Sequence, residues 1–222
     1  MHSMKYVLSR VPQTILFALM VAGCVTMAAN AQTVYNNGTG TNSGYFYSLY
    51  STGGSATMTF PSASKYPGNF AVTWNGVNDV VGGKGWSTGG NMTIGYNVGS
   101  ASGYNNISVY GWTTNPLVEY YICEFGSVVS GSSKGSVSSD GHTYNTYEHQ
   151  QVNQPSIQGT ATFEQYLDNW GGSSTGSNHS VTTGNHYTGW RNHGMNLGSF
   201  KVLIFMAEAW GGRSGEINAT VW

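Results

Sequence analysis

Apolar and polar residues alternate in short runs that recur every ten to fifteen residues along this chain, separated by Gly, Asn and Ser clusters. Phe70-Ala71-Val72-Thr73-Trp74, Met92-Thr93-Ile94-Gly95-Tyr96, Ile107-Ser108-Val109-Tyr110-Gly111-Trp112 and Val202 to Trp210 are examples. A period of two sends successive side chains to opposite faces of a strand, so each run buries its apolar face only by packing against another sheet. The pattern predicts an all-β domain, an antiparallel sandwich of two sheets. One stretch departs from it: Thr183 to His193 reads as a single α-helix, with Thr183 or Asn185 placed to cap its start and Gly194 to stop it. The Ser- and Gly-rich stretches Ser127 to Ser139 and Gly171 to Thr183 read as loops. Ser108, Tyr110 and Trp112 share one strand face, and that mixture of polar and aromatic groups suits a cleft lining better than a dry core.

The first 31 residues stand outside this pattern. Lys5 and Arg10 precede an apolar stretch from Thr14 to Cys24 that is too short to span a bilayer, and Ala29-Asn30-Ala31 offers small residues for cleavage. Residues 1–31 therefore read as a secretory signal and 32–222 as one secreted, extracellular domain. Val21-Ala22-Gly23-Cys24 also resembles a lipobox, which would make Cys24 a lipidated N-terminus, but the Ala-Asn-Ala site is better placed. The remaining 191 residues fill one domain and are short for two. They keep six Lys and Arg against nine Asp and Glu, a formal charge of −3 without a basic cluster, which argues against nucleic acid as a partner. The mature form is expected to be a monomer that leaves the membrane behind. Cys123 is its single cysteine, so no intramolecular disulfide forms and the sheet core must supply the stability.

Against so little charge, two glutamates are conspicuous. Glu119 lies in Pro116-Leu117-Val118-Glu119-Tyr120-Tyr121 and Glu208 in Phe205-Met206-Ala207-Glu208-Ala209-Trp210, both among aromatic, strand-like residues. A carboxylate there costs stability unless something pairs or uses it. Two such sites suggest the paired acids of glycoside hydrolysis. Parity puts Glu119 and Tyr121 on one strand face and Tyr120 and Glu124 on the other, which makes Glu124 a poor partner.

Other motifs carry less. Gly131-Ser132-Ser133-Lys134-Gly135 has the spacing of a nucleophile elbow but lacks the strand-to-helix turn that motif requires. His142, His149, His179, His186 and His193 have no metal-ligand spacing, and no cofactor or metal is expected. Asn37, Asn91, Asn106, Asn178 and Asn218 each begin an Asn-x-Ser/Thr sequon.

The segment from Tyr110 to Ile122 resembles the nucleophile-bearing hairpin of glycoside hydrolase family 11, the endo-β-1,4-xylanases. Gly83-Lys84-Gly85-Trp86, Val152-Asn153-Gln154-Pro155-Ser156-Ile157, and Asn185-His186 through Gly194-Met195-Asn196-Leu197-Gly198 resemble further segments of that family, in the family's order. The likeness runs over about residues 35 to 222. It implies a β-jelly roll of two curved antiparallel sheets with a single α-helix, folded like a partly closed right hand around a xylan cleft. It also implies a retaining mechanism with Glu119 as nucleophile, Glu208 as acid/base, and carboxyl groups roughly 5–5.5 Å apart. Asp79 aligns beside the acid/base, where the family carries Asn or Asp. Asp is associated there with an acidic optimum, which a proton shared with Glu208 would explain. Tyr110 and Tyr121 match groups contacting nucleophile and sugar, Gln165 a cleft glutamine, and Pro155-Ser156-Ile157 the tip of the thumb over the substrate. Tyr50 and Trp112 complete the substrate-binding set.

The chain departs from the common family pattern at several positions. Tyr50 stands for a stacking Trp, Gln151 for an Arg, Leu167 for an aromatic residue, Val202 for a Tyr, and Ala209-Trp210 for Gly-Tyr. These changes touch subsite affinity rather than reaction type. Two other readings are a jelly-roll β-1,4-glucanase, which the xylanase-type thumb disfavours, and a non-catalytic carbohydrate-binding module, which would not need two paired acids.

Overall fold

A computed structural model describes residues 32–61, 66–128 and 130–222; the signal segment and the Cys24 alternative lie outside the described residues. Thirteen strands and one helix follow in the order β1 (Gln32–Val34), β2 (Gly38–Asn42), β3 (Tyr45–Thr52), β4 (Ser55–Phe60), β5 (Asn69–Trp86), β6 (Thr93–Ser102), β7 (Asn106–Thr114), β8 (Val118–Gly126), β9 (Ser132–Ser139), β10 (His142–Ser156), β11 (Gly159–Asn169), β12 (Asn178–Thr182), α1 (Thr183–Asn192) and β13 (Ser199–Val221). The fold is a β-jelly roll, as the alternating runs and the resemblance led one to expect.

Two long strands make the curvature. The first half of β5 pairs with β4 and with the end of β13, whereas its second half pairs with β3 and with the start of β13. The β5–β13 ladder shifts register between Trp210 and Gly215, where Gly76, Gly211 and Gly212 all have positive φ. Glycine adopts that conformation without a Cβ penalty, so both strands bend there and continue into a second layer. The two layers are thus one hydrogen-bonded path rather than two separate sheets. The pairing is antiparallel except between β8 and β11, which run parallel, a feature the alternation could not reveal.

The sheet has an apolar side on each face. Phe70, Val72, Tyr96, Val98, Ile217 and Val221 of one layer pack against Leu49, Val109, Tyr120, Ile122 and Phe205 of the other, with the Tyr96 and Phe205 rings stacked at 4.3 Å. A second cluster of Tyr110, Trp112, Tyr121, Phe163, Leu167, Ile204 and Met206 lies on the concave face. Gly83 and Gly85 keep β5 close to β13, because a Cβ at either would strike the backbone oxygen of Phe205 or Leu203.

Two local expectations need correction. Parts of both Ser/Gly-rich stretches are strands, β9 and β12, because edge pairing with β10 and β6 supplies the hydrogen bonds that low propensity does not. The helix ends as expected, with Gly194 at φ 78°, but neither Thr183 nor Asn185 caps it. Thr182 is the N-cap, without a side-chain cap bond; Asp140 accepts its N–H at 2.8 Å and its hydroxyl at 2.7 Å. Thr183 instead donates to the Gly90 carbonyl at 2.8 Å and ties the helix start to the chain before β6. Beneath the helix, the buried His186 Nδ1 and Asp168 Oδ2 lie 2.6 Å apart.

Candidate active site

A cleft of about 740 Å³ opens on the concave face, a volume suited to a chain of sugars. Its floor is written by the ladder register. Tyr50 faces Val81 and Val81 faces Glu208, while Trp112 faces Glu119 and Glu119 faces Gln165 across the parallel β8–β11 pair. Every expected site residue lines this cleft: Glu119, Glu208, Asp79, Tyr50, Tyr110, Trp112, Tyr121, Pro155, Ser156, Ile157 and Gln165. Glu124 lies on the opposite face, where Tyr96 and Tyr144 donate to it at 2.6 and 2.8 Å.

Glu119 is 8% exposed and held from both sides. The Tyr110 hydroxyl donates to its Oε1 at 2.7 Å and the Gln165 amide to its Oε2 at 2.6 Å. Trp112 donates its indole N–H to the Tyr110 oxygen, and the Gln151 amide donates to Gln165 Oε1 at 3.1 Å. Burial raises the Glu119 carboxyl above its usual range, while bonds from Gln165, Tyr110 and Tyr121 oppose that rise by favouring the anion.

Glu208 is gripped less. The Asn106 amide donates to its Oε2 at 2.7 Å, and Tyr121 approaches Oε1 at a long 3.5 Å. Burial pushes its carboxyl up to about 8; the Asn106 bond opposes this, and the charges of Asp79 and Glu119 add to it. Burial also holds Asp79 above its ordinary value. Burial thus raises both glutamates of the cleft, and three donors oppose that rise at Glu119 where Glu208 has one short bond from Asn106 and a long one from Tyr121. Burial keeps the phenols of Tyr110 and Tyr121 far above their ordinary range, so both remain donors.

The β10–β11 hairpin overhangs the cleft. A register shift between Gln151 and Gln154 and a positive φ of 53° at Asn153 turn β10 before the tip. There Ser156 donates to the Gly159 carbonyl at 2.6 Å and accepts the Gln158 N–H at 3.0 Å, which leaves Ile157 44% exposed.

Sequence reasoning missed Phe46, Phe163, Gln154 and Lys201 in the cleft lining, and Asn106 beside Glu208. Asn106 stood out only as a sequon, yet it is fully buried and its amide is occupied. Its parity with Ser108 and Tyr110 was the available signal. Trp112, expected against substrate, is 3% exposed and meets the cleft chiefly as the support of Tyr110.

Comparison with known proteins finds relatives of like size and others that are longer. The family model described as glycosyl hydrolases family 11 matches residues 42–220. An ethylene-inducing xylanase of Penicillium digitatum is 43% identical over 92% of this chain and 97% of its own length. Endo-1,4-beta-xylanase 2 of Rhizopus oryzae is 42% identical over the same shares of each chain. A solved structure from a comparison of the two major endo-1,4-beta-xylanases of Trichoderma reesei aligns with a TM-score of 0.69 at 40% identity, covering 79% of this chain and 97% of that one.

Proposed function

This chain belongs to glycosyl hydrolases family 11, and on that premise we propose that it is an endo-1,4-β-xylanase cutting internal β-1,4-xylosidic bonds by retaining double displacement. The observation that carries the reading is the pair of glutamates lining one cleft, Glu119 held by two short donors and Glu208 by one. Glu119 attacks the anomeric carbon as Glu208 gives its proton to the departing glycosidic oxygen; Glu208 then takes a proton from water, which releases the sugar from Glu119. Tyr110 and Gln165 orient the nucleophile, and Tyr121 spans the two carboxyl groups. Tyr50, Trp112 and the thumb residues Pro155, Ser156 and Ile157 bound the space the xylan occupies. We assign residues 32–222 to the catalytic domain and read it as a secreted monomer, the leader-like composition of residues 1–31 supporting export.

The test is hydrolysis of xylan by the parent and by Glu119→Ala, with NMR of the first anomer released. The parent should release the β-anomer and the variant should release no sugar. Cleavage by Glu119→Ala at the parental rate, or initial release of the α-anomer, would sink the assignment. Faster cleavage of carboxymethylcellulose than of xylan would move the substrate to β-1,4-glucan.

A further inference from the structure

The two oxygens of Glu208 meet different surroundings. Oε1 turns toward Tyr121, which lines the cleft; Oε2 turns toward Asn106, which is fully buried and outside the cleft lining. The Asn106 carbonyl oxygen is itself taken, because the buried Ser108 hydroxyl donates to it at 2.7 Å. An amide with its oxygen so occupied presents only N–H to the carboxyl group, and an N–H donates. A proton on Oε2 would then face another hydrogen rather than a lone pair.

We propose that Asn106 and Ser108 are positioning residues that decide which oxygen of Glu208 carries the transferable proton, and that this oxygen is Oε1. The inference rests on the reading of Glu208 as acid/base. The competing arrangement turns the Asn106 amide over. Its oxygen would accept a proton from Oε2, and its nitrogen would donate to Ser108. That state holds the proton away from the substrate. It would leave the Ser108 hydroxyl to donate to the Cys123 sulfur beside it, a weak acceptor. The amide orientation is thus set by the stronger of two partners available to one buried hydroxyl.

The same arrangement serves both half-reactions. In the first, the Oε1 proton passes to the glycosidic oxygen as its bond to the anomeric carbon breaks and the bond to Glu119 forms. In the second, Oε1 takes a proton from water as the water oxygen replaces Glu119. Oε2 accepts from Asn106 throughout, so no reorientation is needed between steps. The other titratable groups coupled to Glu208 are Asp79 from β5, Tyr110 from β7, and Glu119, Tyr121 and Cys123 from β8. Of these Cys123 lies beside Ser108, and its burial raises the thiol to about 12, so it stays neutral.

The experiment compares kcat/KM for xylopentaose, whose leaving oxygen needs a proton, with that for a dinitrophenyl β-xylobioside, whose leaving group departs as an anion. Ser108→Ala and Asn106→Ala should lower the xylopentaose-to-aryl ratio by about tenfold, a fraction of the usual worth of general acid catalysis. Asn106→Ala opens a buried void, so Ser108→Ala is the decisive variant should the other fail to fold, with thermal unfolding run on both. Equal slowing of the two substrates, or no slowing, overturns the inference. Glu208→Gln separates it from its premise. If that variant still cleaves xylopentaose at the parental rate, the acid/base assignment fails. If it loses xylopentaose selectively while the Ser108 variant keeps the parental ratio, only the positioning role falls.

Discussion

Tyr110→Phe removes one oxygen and leaves the ring in place. That oxygen donates to Glu119 Oε1 at 2.7 Å and accepts the Trp112 indole N–H. A hydrogen bond to a charged group contributes about 1.5–3 kcal/mol, and about 1.4 kcal/mol corresponds to one pKa unit. Gln165 and Tyr121 still donate to Glu119, so the lower end applies and its pKa should rise by about one unit. The sign follows from the proposed role of Glu119, since a nucleophile works as an anion and Tyr110 favours the anion. Without it, the acidic limb of the kcat/KM profile moves to higher pH by about one unit, and below both limbs the variant is about tenfold slower. The stranded Trp112 N–H adds a separate cost of about 1–3 kcal/mol, lowering Tm by roughly 2–4 °C for each kcal/mol. The assay is a pH series of initial rates on xylo-oligosaccharide beside a thermal melt. A lowered Tm with an unmoved acidic limb would refute the tuning role and leave Tyr110 a packing residue.

Asp79→Asn should move the optimum to higher pH. A proton shared by Asp79 and Glu208 is given up readily only once Asp79 is protonated too, and Asn removes that condition. The Asp79 charge is also one cause of the raised Glu208 carboxyl, so direct titration of Glu208 should find it lower in Asp79→Asn; an unchanged rate profile rejects the coupling. Lys84 is fully buried, and its ammonium donates to Asn42 Oδ1 at 2.9 Å, the Pro67 carbonyl at 2.7 Å and the Asn69 carbonyl at 3.3 Å. Burial lowers its pKa from 10.5 to about 8, so between those values the unfolded chain binds more protons and stability rises with pH. Urea titrations should find the parent gaining on Lys84→Met across that window, and a constant difference would contradict the shift.

How legible was this in the sequence? Alternation exposed the inward faces of β5, β7 and β13, and parity alone separated Glu119 from Glu124, five positions on. It failed where pairing rather than composition decides the structure. β9 and β12 carry almost no apolar signal and are strands because β10 and β6 offer free edges. The parallel β8–β11 register, which brings Gln165 beside Glu119, joins segments whose contact no local pattern encodes. Asn106 shows a further gap: a sequon is a surface reading of three letters, whereas the same letters two apart on a strand put Asn106 and Ser108 on one buried face. The resemblance supplied the roles of Tyr110, Tyr121 and Gln165, but not the bonds from Trp112 and Gln151 that hold them.

The strand that carries Glu208 also decides when the molecule can become an enzyme. Trp86 ends β5 and Ser199 begins β13, 113 positions later, yet β13 lies between β5 and β7 in the finished sheet. Until it enters, both neighbours present open edges, the condition that invites pairing with other chains. Closing contacts this distant in sequence is slow. The same insertion that seals those edges brings Glu208 into the cleft beside Glu119, the pairing on which the proposed chemistry rests. The time course of regained hydrolysis during refolding should therefore report sheet closure itself, without a partly folded species that cuts xylan.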